Sequence, residues 1–134
     1  MCGQGTDHTA AGITTVLGHA IGARYEKDNG LVNAIVLPHV LRFNALATAA
    51  GMSRVAEALG LSSANPDTQL QMTIEALTAL FGKLGVPSRL SELGVKRDHL
   101  PELAQLAMGD WFLRGNPRPV QSASELEQIM KEAW

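Results

Sequence analysis

Apolar residues recur every three or four positions along most of the chain, and polar residues suited to helix capping separate the apolar runs. This spacing predicts helices with a buried face, because one side of an α-helix repeats about every 3.6 residues. We find no convincing segment in which apolar and polar residues alternate as they do in a half-buried strand. The pattern therefore predicts an all-α fold.

Two helices are predicted in the first third of the chain. The first runs from near Asp7 or Thr9 to about Arg24 and has a broad apolar face. The second begins near Gly30 and continues beyond Pro38, which removes a backbone donor and is expected to kink it. Because the second helix is apolar on nearly all sides, it is predicted to lie at the centre of the fold.

Capping residues divide the rest of the chain into shorter helices. Ser53 is predicted to cap a short helix that stops at Gly60. Asn65 and Pro66 start the clearest helix of the chain, which ends before Gly85. The later signals are a turn opened by Ser88, a helix capped by Asp98, a non-helical segment at residues 114–119, and a final helix whose capping box is Ser122 with Glu125.

Length and composition limit the class of protein. At 134 residues, the chain is long enough for one helical domain over residues 1–134, but too short to hold a nucleotide-binding domain as well. It is 46% hydrophobic and 18% charged, with a net charge of -2 and no basic stripe, so we expect no nucleic-acid partner. With one cysteine, Cys2, and no leader or membrane span in the sequence, we expect a cytoplasmic protein with no membrane partner.

Two segments carry a resemblance to a known family. Residues 12–44 read GITTVLGHAIGARYEKDNGLVNAIVLPHVLRFN, and residues 116–119 read NPRP. Together they resemble part of the C-terminal helical domain of the iron-containing alcohol dehydrogenases, where G-x-x-H-x-x-x-H-x-x-G precedes P-H-G and N-A-x-x-L-P-H-V-x-x-F-N. The helices that open the family's domain have no counterpart in this sequence. The matching positions are Gly12, His19, Gly22, Gly30, Asn33, Ala34, Leu37, Pro38, His39, Val40, Phe43 and Asn44. The resemblance implies a multi-helix domain from a family that uses NAD(P) and iron or zinc.

Two positions of this resemblance hold different residues. The family's first ligand histidine falls on Thr15, and the histidine of its P-H-G falls on Asn29. A hydroxyl and a neutral amide are poorer donors to iron or zinc than imidazole. The family's nucleotide-binding domain and its D-x-x-x-H pair of ligands also have no counterpart in this sequence. We therefore expect neither a metal ligand nor a cofactor-binding residue in the chain alone.

His19 is the candidate catalytic residue. The resemblance implies that it stands beside the metal and the nicotinamide without binding the metal, where it relays protons or contacts substrate. Histidine suits that role because it exchanges protons near neutral pH. The alternative is a histidine that is hydrogen-bonded in a polar pocket and retained by descent. Of the others, His39 is expected to pack between helices, whereas His8 and His99 are expected to be solvated or to cap helices.

Two functions fit these observations. The first is a binding or interaction module, a degenerate dehydrogenase domain that is inactive by itself. The second is a fragment or split subunit of an active alcohol dehydrogenase or maleylacetate reductase-like enzyme, which needs a nucleotide-binding partner. One apolar face is expected to lack its covering helices, so we also expect a homodimer that covers it, with a rearrangement of the chain's own helices over the face as the alternative. That predicted face comprises Ile13, Val16, Leu17, Ile21, Leu31 and Ile35.

Overall fold

The computed structural model describes residues 11–61 and 63–134, and within them it contains six α-helices and no strand. The all-α prediction is confirmed. The helices are α1 (Ile13–Tyr25), α2 (Asn29–Asn44), α3 (Ala49–Ala58), α4 (Pro66–Lys83), α5 (Leu100–Met108) and α6 (Ala123–Ala133). Short 3₁₀ turns at Leu90–Leu93, Arg97–His99 and Trp111–Gly115 connect the later helices. Cys2, His8 and the predicted start of the first helix lie outside the described residues.

Helices α1 and α2 pack along each other and form the centre of the domain. Helix α5 packs against α1, α6 packs against α2, and α5 and α6 also contact each other. Helices α3 and α4 make a separate pair that leans on α2 through α4. Helix α2 is therefore central, as its apolar surface predicts, and it continues through Pro38 from Asn29 to Asn44.

Close contact between α1 and α2 depends on two glycines. A Cβ added at Gly18 would lie 2.4 Å from the side-chain amide of Asn33, and one added at Gly22 would lie 2.2 Å from Oδ1 of Asn29. With its amide nitrogen turned toward α1, Asn33 donates to the carbonyl of Thr14 at 2.9 Å and to that of Asn29 at 3.1 Å. Because Gly18 and Gly22 have no Cβ, polar groups of α2 can reach the backbone of α1.

Several helix boundaries follow the predicted caps. Oδ1 of Asn65 accepts from the backbone N–H of Asp67 at 2.9 Å, which confirms the start of α4. Gly60 and Gly85 follow α3 and α4 with φ of 72° and 75°, a left-handed conformation that favours glycine.

Three predicted caps are corrected. Ser53 lies inside α3, which begins at Ala49, because the alanines and the methionine upstream of it favour helix. Asp98 lies in a 3₁₀ turn ahead of α5. Ser122 occupies the predicted N-cap position of α6 but makes no side-chain capping bond, and Oε2 of Glu125 accepts from the backbone N–H of Gln121 at 2.6 Å.

The apolar face that was predicted to need a second copy is covered within the chain, which is the stated alternative to a homodimer through this face. Ile13, Val16, Leu17 and Ile21 are fully buried, Ile35 is 3% exposed, and all five belong to the main hydrophobic core. Only Leu31 of that set is partly exposed. Helices α2, α5 and α6 of the same chain cover this face, which the resemblance implies is packed against the opening helices of the family's domain. The homodimer itself stays a prediction, but it cannot rest on this face.

We predict that Leu17→Asp unfolds the domain, because it places a carboxylate in a fully buried apolar site. The expected loss in free energy of unfolding is about 4 kcal/mol or more. The control is Glu57→Lys at an exposed position of α3, which should change stability by less than about 0.5 kcal/mol. Urea denaturation followed by circular dichroism measures both, and a folded Leu17→Asp protein with unchanged stability would contradict the burial.

Candidate functional site

His19 is held in place by a carboxylate that is far away in the sequence. Its Nδ1 lies 2.7 Å from Oδ2 of Asp110, at the end of the loop that follows α5. The other carboxylate oxygen of Asp110 accepts from the backbone N–H of Phe112 at 3.0 Å and so begins the 3₁₀ turn Trp111–Gly115. One side chain thus fixes both the turn and the imidazole ring.

Aromatic side chains surround the pair on the turn side. The Phe112 ring meets the His19 ring edge to face, with centroids 5.7 Å apart, and stacks on Trp111 at 4.4 Å. Arg114 lies 4.6 Å from the Trp111 ring centroid. On the other side, His19 and Asp110 line an open cavity of about 410 Å³ between α1 and Leu106. The orientation of the His19 ring is therefore fixed, while part of the ring remains accessible to small molecules in the cavity.

The loop carrying Asp110 is anchored by a pair of buried asparagines. Nδ2 of Asn116 donates to Oδ1 of Asn44 at 2.7 Å and to the carbonyl of Arg118 at 2.6 Å. Oδ1 of Asn116 accepts from Nδ2 of Asn44 at 3.2 Å and from the backbone N–H of Ile13 at 3.3 Å. The start of α1, the end of α2 and the N-P-R-P loop consequently meet at one side chain.

Thr15 and Asn29, at the positions that the resemblance aligns with metal-ligating histidines, have poor metal-donor side chains. Thr15 precedes His19 by one turn of α1, so the two side chains lie on the same face of that helix. Asn29 is the first residue of α2, capped by Asp28, and its Oδ1 packs against Gly22. In the described part of the chain, no cluster of three His, Cys, Asp or Glu side chains has a metal-binding arrangement. A threonine hydroxyl and a neutral amide do not fit the donor set of an iron or zinc site.

His39 lies elsewhere on α2, beside the cavities that face α4 and α6. Burial lowers the pKa of His39, the charge of Arg42 lowers it further, and the carboxylate of Glu132 opposes both effects. Nδ1 of His39 is buried without a hydrogen-bond partner among the described residues, and Oε2 of Glu132 lies 4.0 Å from it. His99 lies at a helix start as predicted, at the N-cap position of α5, but its side chain does not cap the helix, and its Nδ1 lies 2.6 Å from the hydroxyl of Tyr25.

The sequence singled out His19 as a candidate but did not indicate the residues that position it. Asp110 is separated from His19 by 91 residues, and Asn116 is separated from Asn44 by 72. The phenylalanine-asparagine and N-P-R-P matches marked Asn44 and Asn116 as parts of a pattern without indicating that they touch. Nothing local marked Asp110, since an aspartate before an aromatic pair is also a common turn residue.

Comparisons with known proteins agree with this fold. Residues 1–134 match the C-terminal part of the Fe-containing alcohol dehydrogenase family. The chain is 31% identical over 136 residues to lactaldehyde reductase of Escherichia coli (strain K12), covering 100% of this chain and 35% of that protein. It is 32% identical over 134 residues to maleylacetate reductase 1 of Cupriavidus pinatubonensis, covering 100% of this chain and 34% of that protein.

A solved structure of 1,3-propanediol oxidoreductase superimposes with a TM-score of 0.85 at 30% identity, covering 92% of this chain and 32% of that one. The chain therefore belongs to the Fe-containing alcohol dehydrogenase family and corresponds to its C-terminal helical domain. It spans about a third of the length of the curated relatives it matches. In addition, no helix in residues 11–61 and 63–134 is long and apolar enough to cross a membrane.

We predict that His39→Gln makes the stability of the domain less dependent on pH. A histidine whose folded-state pKa is lowered takes up its proton more readily when unfolded, so the free energy of unfolding falls as the pH drops through the unfolded pKa. Glutamine cannot be protonated and removes this contribution. Urea denaturation at about pH 7 and about pH 5 should give a smaller difference for the variant than for the wild type. An equal or larger difference would contradict the prediction.

We also predict that the chain does not bind ferrous iron or zinc one-to-one with sub-micromolar affinity, since Thr15 and Asn29 replace two imidazoles. Isothermal titration calorimetry tests this directly. A Thr15→His/Asn29→His double variant is the positive control, because it places imidazoles at both positions and should bind zinc more tightly. Tight binding by the wild type that disappears in His19→Ala would contradict the prediction.

Proposed function

We propose that this chain is a binding module of dehydrogenase ancestry that does not catalyse hydride transfer by itself. The observation that carries the proposal is the combination of Thr15 and Asn29 at the ligand positions with an intact scaffold around them. Asn29 has a structural place, where it starts α2 and packs on Gly22. A domain that keeps its packing but replaces its metal donors retains the shape of the site without its Lewis acid.

The His19–Asp110 pair gives this module a polar centre. The hydrogen bond to Asp110 occupies Nδ1 of His19 and fixes the orientation of the ring. The side chain of His19 is 42% exposed. Such a ring can donate to or accept from a hydroxyl or carbonyl group in the adjoining cavity of about 410 Å³. Under this proposal, His19 contacts a small polar ligand and does not relay a proton during a redox reaction.

The second candidate is a subunit of a two-chain dehydrogenase. The same His19–Asp110 bond favours it, because a positioned imidazole facing an open cavity is what proton transfer to a substrate needs. This candidate requires another polypeptide to bring the nicotinamide cofactor and the metal donors. A neighbouring gene for a nucleotide-binding domain, and activity on mixing the two products, would favour it over the binding module.

We predict no dehydrogenase turnover by the chain alone with small primary alcohols or aldehydes and either NAD(H) or NADP(H). Hydride transfer needs a nicotinamide cofactor bound against the substrate and stabilisation of the charge on the substrate oxygen. Loss of that stabilisation lowers the reaction rate by orders of magnitude. The assay follows absorbance of the reduced nicotinamide against a mock purification from cells without the gene. Turnover that scales with protein concentration and falls in His19→Ala would overturn the binding-module proposal.

We further propose that the domain forms a homodimer through the surface beside His19. Leu106 is 56% exposed and Trp111 is 42% exposed at this place, and two-fold association is the commonest way for a soluble chain to cover such side chains. Light scattering at micromolar concentration should give twice the chain mass. Leu106→Glu should restore the monomer, whereas Leu46→Glu, at a site that is 98% exposed in the loop after α2, should not. A wild-type monomer would refute this arrangement.

A further inference from the structure

A second cavity lies away from the His19 site and shares no lining residue with it. It measures about 260 Å³ and opens between α2, α4 and the segment 86–88. Its walls are mainly apolar and include Ile35, Pro38, Ile74, Phe81 and Val86. Cavities of this shape bind ligands through apolar contact and use a few polar groups to orient them.

The charged residue of the cavity is Arg42, on the last turn of α2. Two of the other six arginines form ion pairs within the described residues, Arg24 with Glu102 at 3.0 Å and Arg118 with Glu125 at 3.2 Å. Arg42 has no ion pair within the described ranges 11–61 and 63–134. A guanidinium group beside an apolar cavity recognises carboxylates well, because its parallel N–H groups match the two carboxylate oxygens.

His39 adds an adaptable donor one turn earlier on the same helix. It lines this cavity and also the neighbouring one of about 510 Å³ beside α6, so its ring stands between them. Its Nδ1 has no partner among the described residues, and the 4.0 Å separation from Glu132 is too long for a hydrogen bond. Since no protein bond fixes the tautomer, the ring can present an N–H to an anion in the cavity.

We propose that this cavity binds a small carboxylate with a short aliphatic body. The carboxylate contacts Arg42 and His39, and the aliphatic part lies against Ile74 and Phe81. The apolar walls select against inorganic anions, which gain nothing from that contact, and the unpaired guanidinium selects against neutral alcohols. This site is independent of the His19 site and of the function proposed for it.

Hexanoate is a suitable probe, with acetate, inorganic phosphate and hexan-1-ol as the comparison ligands. Calorimetry on the full chain should give a dissociation constant for hexanoate at least about tenfold lower than for any of the three. Equal binding of hexan-1-ol would show that the cation has no role, and equal binding of acetate or phosphate would show that the cavity has none. Either result, or no binding of hexanoate, overturns the proposal.

Two arginine substitutions test whether hexanoate binds in this cavity. Arg42→Gln should weaken hexanoate binding to the level of hexan-1-ol, while Arg54→Gln, at an exposed arginine of α3 outside the cavity, should leave it unchanged. Because Arg42 is exposed, its replacement should preserve the fold, which circular dichroism checks. Amide chemical shifts should change on titration at Ile74 and Phe81. Hexanoate binding that leaves these shifts unchanged and moves those around His19 instead would also overturn the proposal.

Discussion

The paired hydrogen bonds between Asn44 and Asn116 hold this domain in one arrangement. Both side chains are only 7% exposed, and each amide donates to the other. Asn116 also bonds the first N–H of α1 and the carbonyl of Arg118, so a single buried amide satisfies groups from three segments. A buried polar group left without its partner costs about 1–3 kcal/mol, which disfavours any packing that separates them.

The candidate site depends on this anchor. Asp110 and the turn Trp111–Gly115 lie between the end of α5 and Asn116, so fixing Asn116 limits where Asp110 can stand. The carbonyl of Phe112 adds a second tie by accepting from the N–H of Ala11 at 3.1 Å. His19 then meets Asp110 because α1 starts at the same anchor. None of these contacts involves Thr15 or Asn29. The scaffold and the His19–Asp110 pair therefore do not depend on which side chains occupy these two positions.

Local features of the sequence predicted local features of the fold. The Asn65–Pro66 cap, the glycines that end α3 and α4, and the apolar surface of α2 each act within one or two turns, so they could be read without the tertiary structure. The wrong or missing predictions concerned contacts between residues that are far apart in the sequence. Ile13 and Leu17 were assigned to an open face because the resemblance implied that their covering helices are missing, and the spacing of apolar residues does not show that the chain's own later helices cover them. Asp110 was missed for the same reason, since its partner His19 belongs to another helix.

A double-mutant cycle on Asn44 and Asn116 tests most directly whether this buried pair anchors the domain. The free energy of unfolding is measured for wild type, Asn44→Ala, Asn116→Ala and the double variant. If the two amides satisfy each other, the double variant should lose less stability than the sum of the single losses, with a coupling of about 1–3 kcal/mol. Additive losses within about 0.5 kcal/mol would show that the two side chains act independently, and would contradict the anchor.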